Sequence, residues 1–155
     1  MPNKSILLVE DEGPKRKHIE EYLNKYTLRP VNFMRAESVS SALELLETEQ
    51  PDFIILDMSL PTYDITDKDA GGRPQGFGGI EVLRHMKMAD NTTPTIVVTG
   101  YEAFMREEGL VELSTIASEL ERDFQPFFKG ILYYNSTYSE WKSNILELLT
   151  KLDVV

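Results

Sequence analysis

Three carboxylates stand directly after two apolar segments of the chain. Glu10 and Asp11 follow the run Ile6–Val9, and Asp57 follows the run 53–56, Phe-Ile-Ile-Leu. If both runs are strands of one parallel sheet, their carboxyl ends lie at the same edge and bring the three carboxylates together. Carboxylates this close repel one another unless a cation neutralises them or some of them stay protonated. The residues therefore predict a cation site with oxygen ligands.

The ligand types indicate which ion this site would hold. The chain has no cysteine, and no paired histidine lies near the three carboxylates, so a hard cation is expected. We expect Mg²⁺, with Mn²⁺ as the alternative, because Mg²⁺ accepts few carboxylates and keeps positions open for water or phosphate oxygens. His18 and His85 lack a supporting motif and are interpreted as surface residues of helices.

Alternating apolar segments indicate the elements that must position these groups. Strands are predicted over 6–9, 31–36, 53–56, 95–99 and 130–135. Helices are predicted over 15–26, from a cap at Ser38 to Pro51, over 79–88, and around the stripe from Trp141 to Leu152. The span 102–122 is predicted to form one long helix or two shorter ones, with Gly109 as the weak point. Strands that alternate with helices predict an α/β fold, a doubly wound parallel sheet with helices on both faces.

Size and charge narrow the classes of function. A chain of 155 residues with 41% hydrophobic residues is expected to form one domain. Its formal net charge of −10 would repel a phosphodiester backbone, so no direct nucleic-acid binding is expected. The apolar run Ile6–Val9 is too short for a signal peptide or a membrane span, and the expectation is a cytoplasmic protein without membrane insertion.

Four segments of the sequence, taken in order, resemble the receiver domain of two-component response regulators. They are Leu7–Glu12 (LLVEDE), Asp52–Pro61 (DFIILDMSLP), Gly78–Leu83 (GGIEVL) and Ile96–Gly100 (IVVTG). The resemblance spans essentially the whole chain, and four matches at suitable strand ends are hard to obtain by chance. It implies a flavodoxin-like (βα)5 fold with strand order 2-1-3-4-5, in a single receiver domain over residues 1–155.

The resemblance also implies a role for each residue at these strand ends. Asp57 corresponds to the aspartate that accepts a phosphoryl group from a phosphohistidine. Glu10 and Asp11 correspond to the acidic pair that holds Mg²⁺ together with Asp57, and Ser59 occupies the position whose backbone carbonyl completes the metal site.

Two further positions follow from the same resemblance. Thr99 corresponds to the hydroxyl residue that moves toward the acyl phosphate, and Gly100 to the small residue that leaves its approach open. Taken alone, Thr99 would be an ordinary strand residue and Gly100 an ordinary turn former.

The fifth predicted strand departs from the family pattern. Receivers carry a lysine and then a proline at its end, and this chain has Asn135 or Ser136 there, depending on register. Lys129 precedes the predicted strand and Lys142 lies in the next helix, so neither is well placed to substitute. Register also decides whether Tyr133 is the aromatic switch residue of the family or part of a packing or partner surface.

A second departure is the inserted loop 62–77, which stands beside Asp57. Asp64, Asp67 and Asp69 lack the glutamate and glycine spacing of a calcium loop, so a solvated loop is the preferred interpretation. By hypothesis, the insertion shields the acyl phosphate or selects the kinase.

The preferred function is a stand-alone phosphoacceptor and not an enzyme. Its partners would be a histidine kinase or a phosphotransfer protein and a downstream protein, with homodimerisation as an open possibility. The alternative is a receiver-like interaction module that works without phosphorylation, because the lysine is missing. A Mg²⁺-dependent phosphohydrolase ranks third, because such enzymes use a second carboxylate where this chain has Ser59.

Overall fold

The computed structural model describes residues 3–27, 29–64, 77–107, 109–137 and 139–152. The strands are β1 (Lys4–Val9), β2 (Val31–Ala36), β3 (Phe53–Asp57), β4 (Thr95–Thr99), β5 (Ala103–Arg106), β6 (Gly109–Glu112) and β7 (Phe128–Tyr133). The helices are α1 (Gly13–Tyr26), α2 (Val39–Thr48), α3 (Gly78–Met88), α4 (Leu113–Asp123) and α5 (Glu140–Lys151). None of the helices in the described part of the chain is long and apolar enough to cross a membrane.

The main sheet has five parallel strands in the order β2-β1-β3-β4-β7. With β7 as its fifth strand, this order is the predicted 2-1-3-4-5, and the doubly wound fold is confirmed. The order in which the chain adds strands to the sheet reverses between β1 and β3, and the carboxyl ends of the strands at such a point form the crevice where ligands bind in open α/β sheets.

Each face of the sheet is covered by its own apolar layer, because successive strand residues point to opposite faces. On one face, Leu7, Ile54 and Val97 pack with side chains of α2, α3 and α4. On the other face, Leu8 and Ile55 pack with side chains of α1 and α5. Both layers are fully buried at the centre of the sheet, so the strand ends are held rigidly.

The prediction of a helix starting at residue 102 is wrong. The strands β5 and β6 pair antiparallel as a β-hairpin in this region, and the helix begins only at Leu113. Gly109 has a φ of 119°, a conformation that favours glycine and ends any helical path through this residue. Phe104 is buried while Met105 is exposed, which is the alternation of a strand and not of a helix.

Candidate phosphoacceptor site

The register of the two central strands brings the predicted carboxylates together. Val9 pairs with Leu56, so Glu10 and Asp57 follow neighbouring positions at the same edge of the sheet. One carboxylate oxygen from each of Glu10, Asp11 and Asp57 lies within 4.8 Å of the others. Glu10 and Asp57 are 2% and 6% exposed, and Asp11 is half-buried. The sequence therefore placed all three carboxylates at the correct strand ends.

A buried lysine that the sequence analysis missed lies among these carboxylates. The Lys15 ammonium is 2.7 Å from Glu10 Oε1 and donates a hydrogen bond to Asp57 Oδ1 at 3.1 Å. It also donates to the backbone carbonyl of Val98 at 3.4 Å. Lys15 is only 5% exposed. Its position in the first turn of α1 brings its side chain over the ends of the central strands.

The sequence did contain a signal for Lys15. The apolar stripe of the first helix runs through Ile19 and Leu23, and one step of four residues back along that stripe is Lys15. A lysine on a buried helix face needs a partner. The carboxylates at the start of the same helix are the partners within reach.

Burial and mutual repulsion control the protonation of this cluster. Burial, followed by the charge of Asp57, raises the pKa of Glu10 to about 8 although Lys15 opposes the shift. The same two causes raise the pKa of Asp11. Burial by itself would lower the pKa of Lys15, but Asp57 and Glu10 raise it above its ordinary value, so the side chain stays an ammonium. Fully ionised, three carboxylates and one ammonium leave two negative charges unbalanced, which suits a divalent cation.

A cleft of about 530 Å³ opens above the carboxylates. Its lining includes Asp11, Asp57, Ser59 and Gly100. Thr99 is fully buried at the end of β4, where its Oγ1 accepts a hydrogen bond from the backbone N–H of Tyr101 at 3.2 Å. The predicted residues of the first, third and fourth strands of the main sheet therefore converge at one edge.

The first residues of α3 pack closely against the backbone at Asp57 and Met58. The N–H of Gly79 donates to the Met58 carbonyl at 2.8 Å. A Cβ on Gly79 would lie 2.5 Å from the Asp57 carbonyl oxygen and 3.0 Å from Met58 Cα. This close approach explains the glycine at position 79, since a side chain there would displace the segment that carries the candidate acceptor.

Comparison with known proteins decides the family. A model of the response regulator receiver domain matches residues 6–113. This chain belongs to that family. The match covers the strand ends that carry Glu10, Asp11, Asp57 and Thr99, and it ends where α4 begins.

Several relatives of this receiver have names that refer to signalling. The Detocs response regulatory protein DtcB of Enterobacter cloacae (strain JD6301) is 33% identical over 102 residues, which are 65% of this chain and 68% of that protein. A protein of the same name from Vibrio alginolyticus is 29% identical over 93% of this chain and 98% of its own length. Sporulation initiation phosphotransferase F of Bacillus subtilis (strain 168) is 32% identical over 65% of this chain and 68% of that protein.

Solved structures share the receiver fold at lower identity. The phosphorylated cyanobacterial phytochrome response regulator RcpA has a TM-score of 0.67 at 18% identity, with 96% of this chain and 92% of that chain covered. The Mn²⁺-bound form of response regulator Rcp1 has a TM-score of 0.65 at 21% identity, with 98% and 96% covered. At this level of identity the likeness is evidence for the fold.

The end of β7 is where this receiver departs from the family pattern. The strand covers Phe128–Tyr133, two residues earlier than predicted, so Asn135 and Ser136 lie beyond it and line the cleft. Lys129 lies within β7 and is exposed. Tyr133 also lines the cleft, and its hydroxyl accepts a hydrogen bond from Asn135 Nδ2 at 3.4 Å. The ammonium beside Asp57 comes from α1 instead.

Tyr134 joins the site to the interface between α1 and α5. The Lys15 ammonium lies 5.5 Å from the centre of the Tyr134 ring. The Tyr134 hydroxyl lies 2.8 Å from His18 Nδ1, and its ring centre is 5.0 Å from that of Trp141. The interpretation of His18 as a surface residue is therefore wrong, since it is half-buried in this cluster, whereas His85 is exposed as predicted.

The inserted loop is described only at its ends. Residues 65–76, including Asp67 and Asp69, lie outside the described residues, so the hypothesis that the insertion shields the acyl phosphate or selects the kinase stays a prediction. Asp64 accepts a hydrogen bond from Ser38 Oγ at 2.6 Å. This contact fixes the first residues of the loop to the start of α2.

Proposed function

We propose that this receiver accepts a phosphoryl group on Asp57 from a phosphohistidine of a histidine kinase or phosphotransfer protein, and signals through protein contacts. The observation that carries the proposal is a nearly buried carboxylate at the floor of an open cleft, with two further carboxylates and an ammonium within reach. Burying charges next to like charges costs free energy, so their presence here is evidence of a function, and perturbed acidic clusters in clefts mark functional sites.

The transfer exchanges one bond to phosphorus for another. An Asp57 carboxylate oxygen forms the new P–O bond while the P–N bond to the donor histidine breaks, and the electron pair of that bond stays on the imidazole. Later hydrolysis breaks the P–O bond to Asp57, as water adds to phosphorus, and releases inorganic phosphate. Asp57 returns to a carboxylate, so the residue serves as an acceptor that can be reused.

The donor set fits a hard divalent cation. Glu10, Asp11 and Asp57 would hold it, together with the backbone carbonyl of Ser59, which lines the same cleft. Such an ion polarises phosphoryl oxygens and neutralises charge that gathers during transfer. Mg²⁺ is the proposed ion and Mn²⁺ the alternative, since one structure of the same fold was solved in a Mn²⁺-bound form.

The experiment is incubation of the protein with Mg²⁺ and acetyl phosphate, followed by intact-mass and peptide mass spectrometry. We expect the mass of one phosphoryl group on Asp57 in the wild type and none in Asp57→Asn. Asp52→Asn is the matched control, because Asp52 is exposed at the opposite end of the same strand. A wild-type protein without added mass, or an Asp57→Asn protein with it, would refute the proposal.

The second candidate is an interaction module that works without phosphorylation. It is favoured by the absence of a lysine at the end of β7 among the residues described there. It predicts that Asp57→Asn keeps full activity in cells and full partner binding. The third candidate, a phosphohydrolase, predicts turnover of a generic phosphate ester, and we expect none because Ser59 stands where a general acid would be required.

A further inference from the structure

The Lys15 ammonium has three N–H donors, and the structure gives each of them an acceptor. The acceptors are Glu10 Oε1 at 2.7 Å, Asp57 Oδ1 at 3.1 Å and the Val98 carbonyl at 3.4 Å. Of these acceptors, only the Asp57 oxygen belongs to the group that reacts in the proposed function. A change of charge at Asp57 therefore acts first on this ammonium.

We propose that Lys15 contacts the phosphoryl group on Asp57, in place of a cation from the end of β7, and transmits phosphorylation to the interface of α1 and α5. This inference rests on the proposed function. It adds the residue that senses the phosphoryl group and the elements that respond to it.

Charge and geometry favour this contact. A phosphoryl group brings nearly two negative charges and further acceptor oxygens to a site where Asp57 offered one. The ammonium that now donates to Asp57 Oδ1 at 3.1 Å is already within reach of the group that would carry those oxygens. Charge-assisted hydrogen bonds of this kind are about twice as strong as neutral ones.

The side chains around Lys15 connect the candidate site to helices α1 and α5. The ammonium lies over the Tyr134 ring, and Tyr134 contacts both His18 on α1 and Trp141 on α5. His18 and Trp141 also contact each other, with ring centres 5.2 Å apart. When the ammonium turns from Asp57 toward phosphoryl oxygens, it moves relative to the Tyr134 ring. The aromatic cluster between the two helices must adjust to that movement.

The chain contains its own reporter for this adjustment. Trp141 is its only tryptophan, and it is 2% exposed. Tryptophan fluorescence therefore reports on the surroundings of this one side chain. Phosphorylation with acetyl phosphate and Mg²⁺ is first measured by mass spectrometry, and the change in Trp141 emission is then normalised to the phosphorylated fraction.

The test compares the wild type with Lys15→Met and Lys17→Met. Methionine keeps the unbranched shape of lysine without its charge, and Lys17 is an exposed lysine on the same helix. We expect a change in Trp141 emission in the wild type and in Lys17→Met, and a change at least about fivefold smaller in Lys15→Met, because the charge-assisted contact is lost. A full change in Lys15→Met, or no change in phosphorylated wild type, would overturn the inference.

A measurement on the wild type decides the case in which Lys15→Met does not fold or is not phosphorylated. With ¹⁵N-labelled lysine, a buried and hydrogen-bonded ammonium gives an Nζ signal protected from solvent, and Lys15 is the buried lysine of the described residues. We expect this signal to shift on phosphorylation, and an unchanged signal would overturn the inference. Failure of the proposed function is distinguishable, because no phosphoryl mass would then appear on the wild type.

Discussion

At the scale of single residues, close packing limits which side chains fit next to Asp57. Gly79 lies against the Asp57 carbonyl, and an added Cβ would meet backbone atoms that cannot rotate away. Gly100, at the rim of the same cleft, has the Tyr134 carbonyl 4.0 Å from an added Cβ and no closer neighbour. The two glycines therefore differ in what a methyl group would do.

We expect Gly79→Ala to lower the free energy of unfolding by about 1–3 kcal/mol, because a clash with backbone has to be relieved by moving the end of β3. Gly100→Ala, as the matched control, should change it by less than about 0.5 kcal/mol. Urea unfolding measures both values. Equal and small effects would show that α3 can shift without disturbing Asp57.

Residue-scale prediction from the sequence succeeded for the carboxylates and failed for Lys15. Glu10, Asp11 and Asp57 follow apolar runs, so their place at a sheet edge follows from strand geometry. Lys15 acts from a helix, where its direction depends on how α1 packs over the sheet. Sequence spacing gives the helix face of a residue but not the strand end that the face covers.

At the scale of elements, the start of α2 ties the helix to the segment after β3. Ser38 is fully buried, its Oγ accepts from the Ser41 N–H at 3.0 Å, and the same oxygen donates to Asp64. Backbone N–H groups of the first turn also donate to the carbonyls of Pro61 and Thr62. The predicted cap at Ser38 is confirmed, and it has a second role that the sequence did not indicate.

Ser38→Ala should lower the free energy of unfolding by about 1–2 kcal/mol, because the helix loses its cap and Asp64 loses a donor. Ser40→Ala is the control, since Ser40 is an exposed serine in the same turn. Thermal and urea unfolding give the difference between the two variants. An effect of Ser38→Ala no larger than that of Ser40→Ala would mean that water replaces the cap.

The β5–β6 hairpin lies where the sequence analysis predicted a helix, between β4 and α4. Its strands are four residues each, too short for a clear period, and Glu102–Arg106 contains good helix formers. The hairpin is fixed by tertiary contacts instead. Phe104 packs against Phe77, the residue that precedes α3, with ring centres 5.4 Å apart.

Arg106 provides a second attachment of the hairpin. Its guanidinium donates two hydrogen bonds to Glu119 of α4, at 2.9 and 2.6 Å, and lies 5.5 Å from the Phe77 ring centre. Bidentate pairs of this kind fix orientation more than they add stability when partly exposed. Accordingly, the hairpin and α4 are expected to move apart before the sheet unfolds.

Arg106→Met should speed amide hydrogen exchange in residues 103–112 while the free energy of global unfolding falls by less than about 1 kcal/mol. Hydrogen exchange with mass spectrometry measures the first, and urea unfolding the second. Arg122→Met is the control, because Arg122 is an exposed arginine of α4 and, among the described residues, forms an ion pair only with its neighbour in the chain, Asp123. Unchanged exchange in the hairpin would show that the Arg106 side chain is not needed to hold it.

At the scale of the whole molecule, the strand order of the main sheet was predictable from the sequence. The elements that follow β4 were less predictable. The first four strands of the main sheet are predicted from apolar runs, and the family match covers all of them except the first two residues of β1. β7 begins earlier than predicted, and the elements between β4 and β7 differ from the expected helix. The carboxylate site lies at the ends of strands that the sequence predicts. Its connection to α5 through Tyr134 and Trp141 lies in the part of the chain after β4, and only the structure shows it.

The final prediction concerns the ion and the stability of the entire fold. Glu10 and Asp57 end two central strands, so their repulsion is released only when the sheet itself comes apart. An ion that binds the three carboxylates of the folded chain therefore stabilises the whole molecule. At about 100 times its Kd, such an ion would add about 2.7 kcal/mol to the free energy of unfolding.

We expect the melting temperature to rise with Mg²⁺ concentration and to return to its starting value when the ion is removed with a chelator. Asp11→Asn should lose most of this rise, because it removes one of three ligands and half of the unbalanced charge that remains beside Lys15. Asp52→Asn, at the far end of β3, should keep it. An equal rise in both variants would mean that the ion acts by screening the net charge of −10 and does not bind at the strand ends.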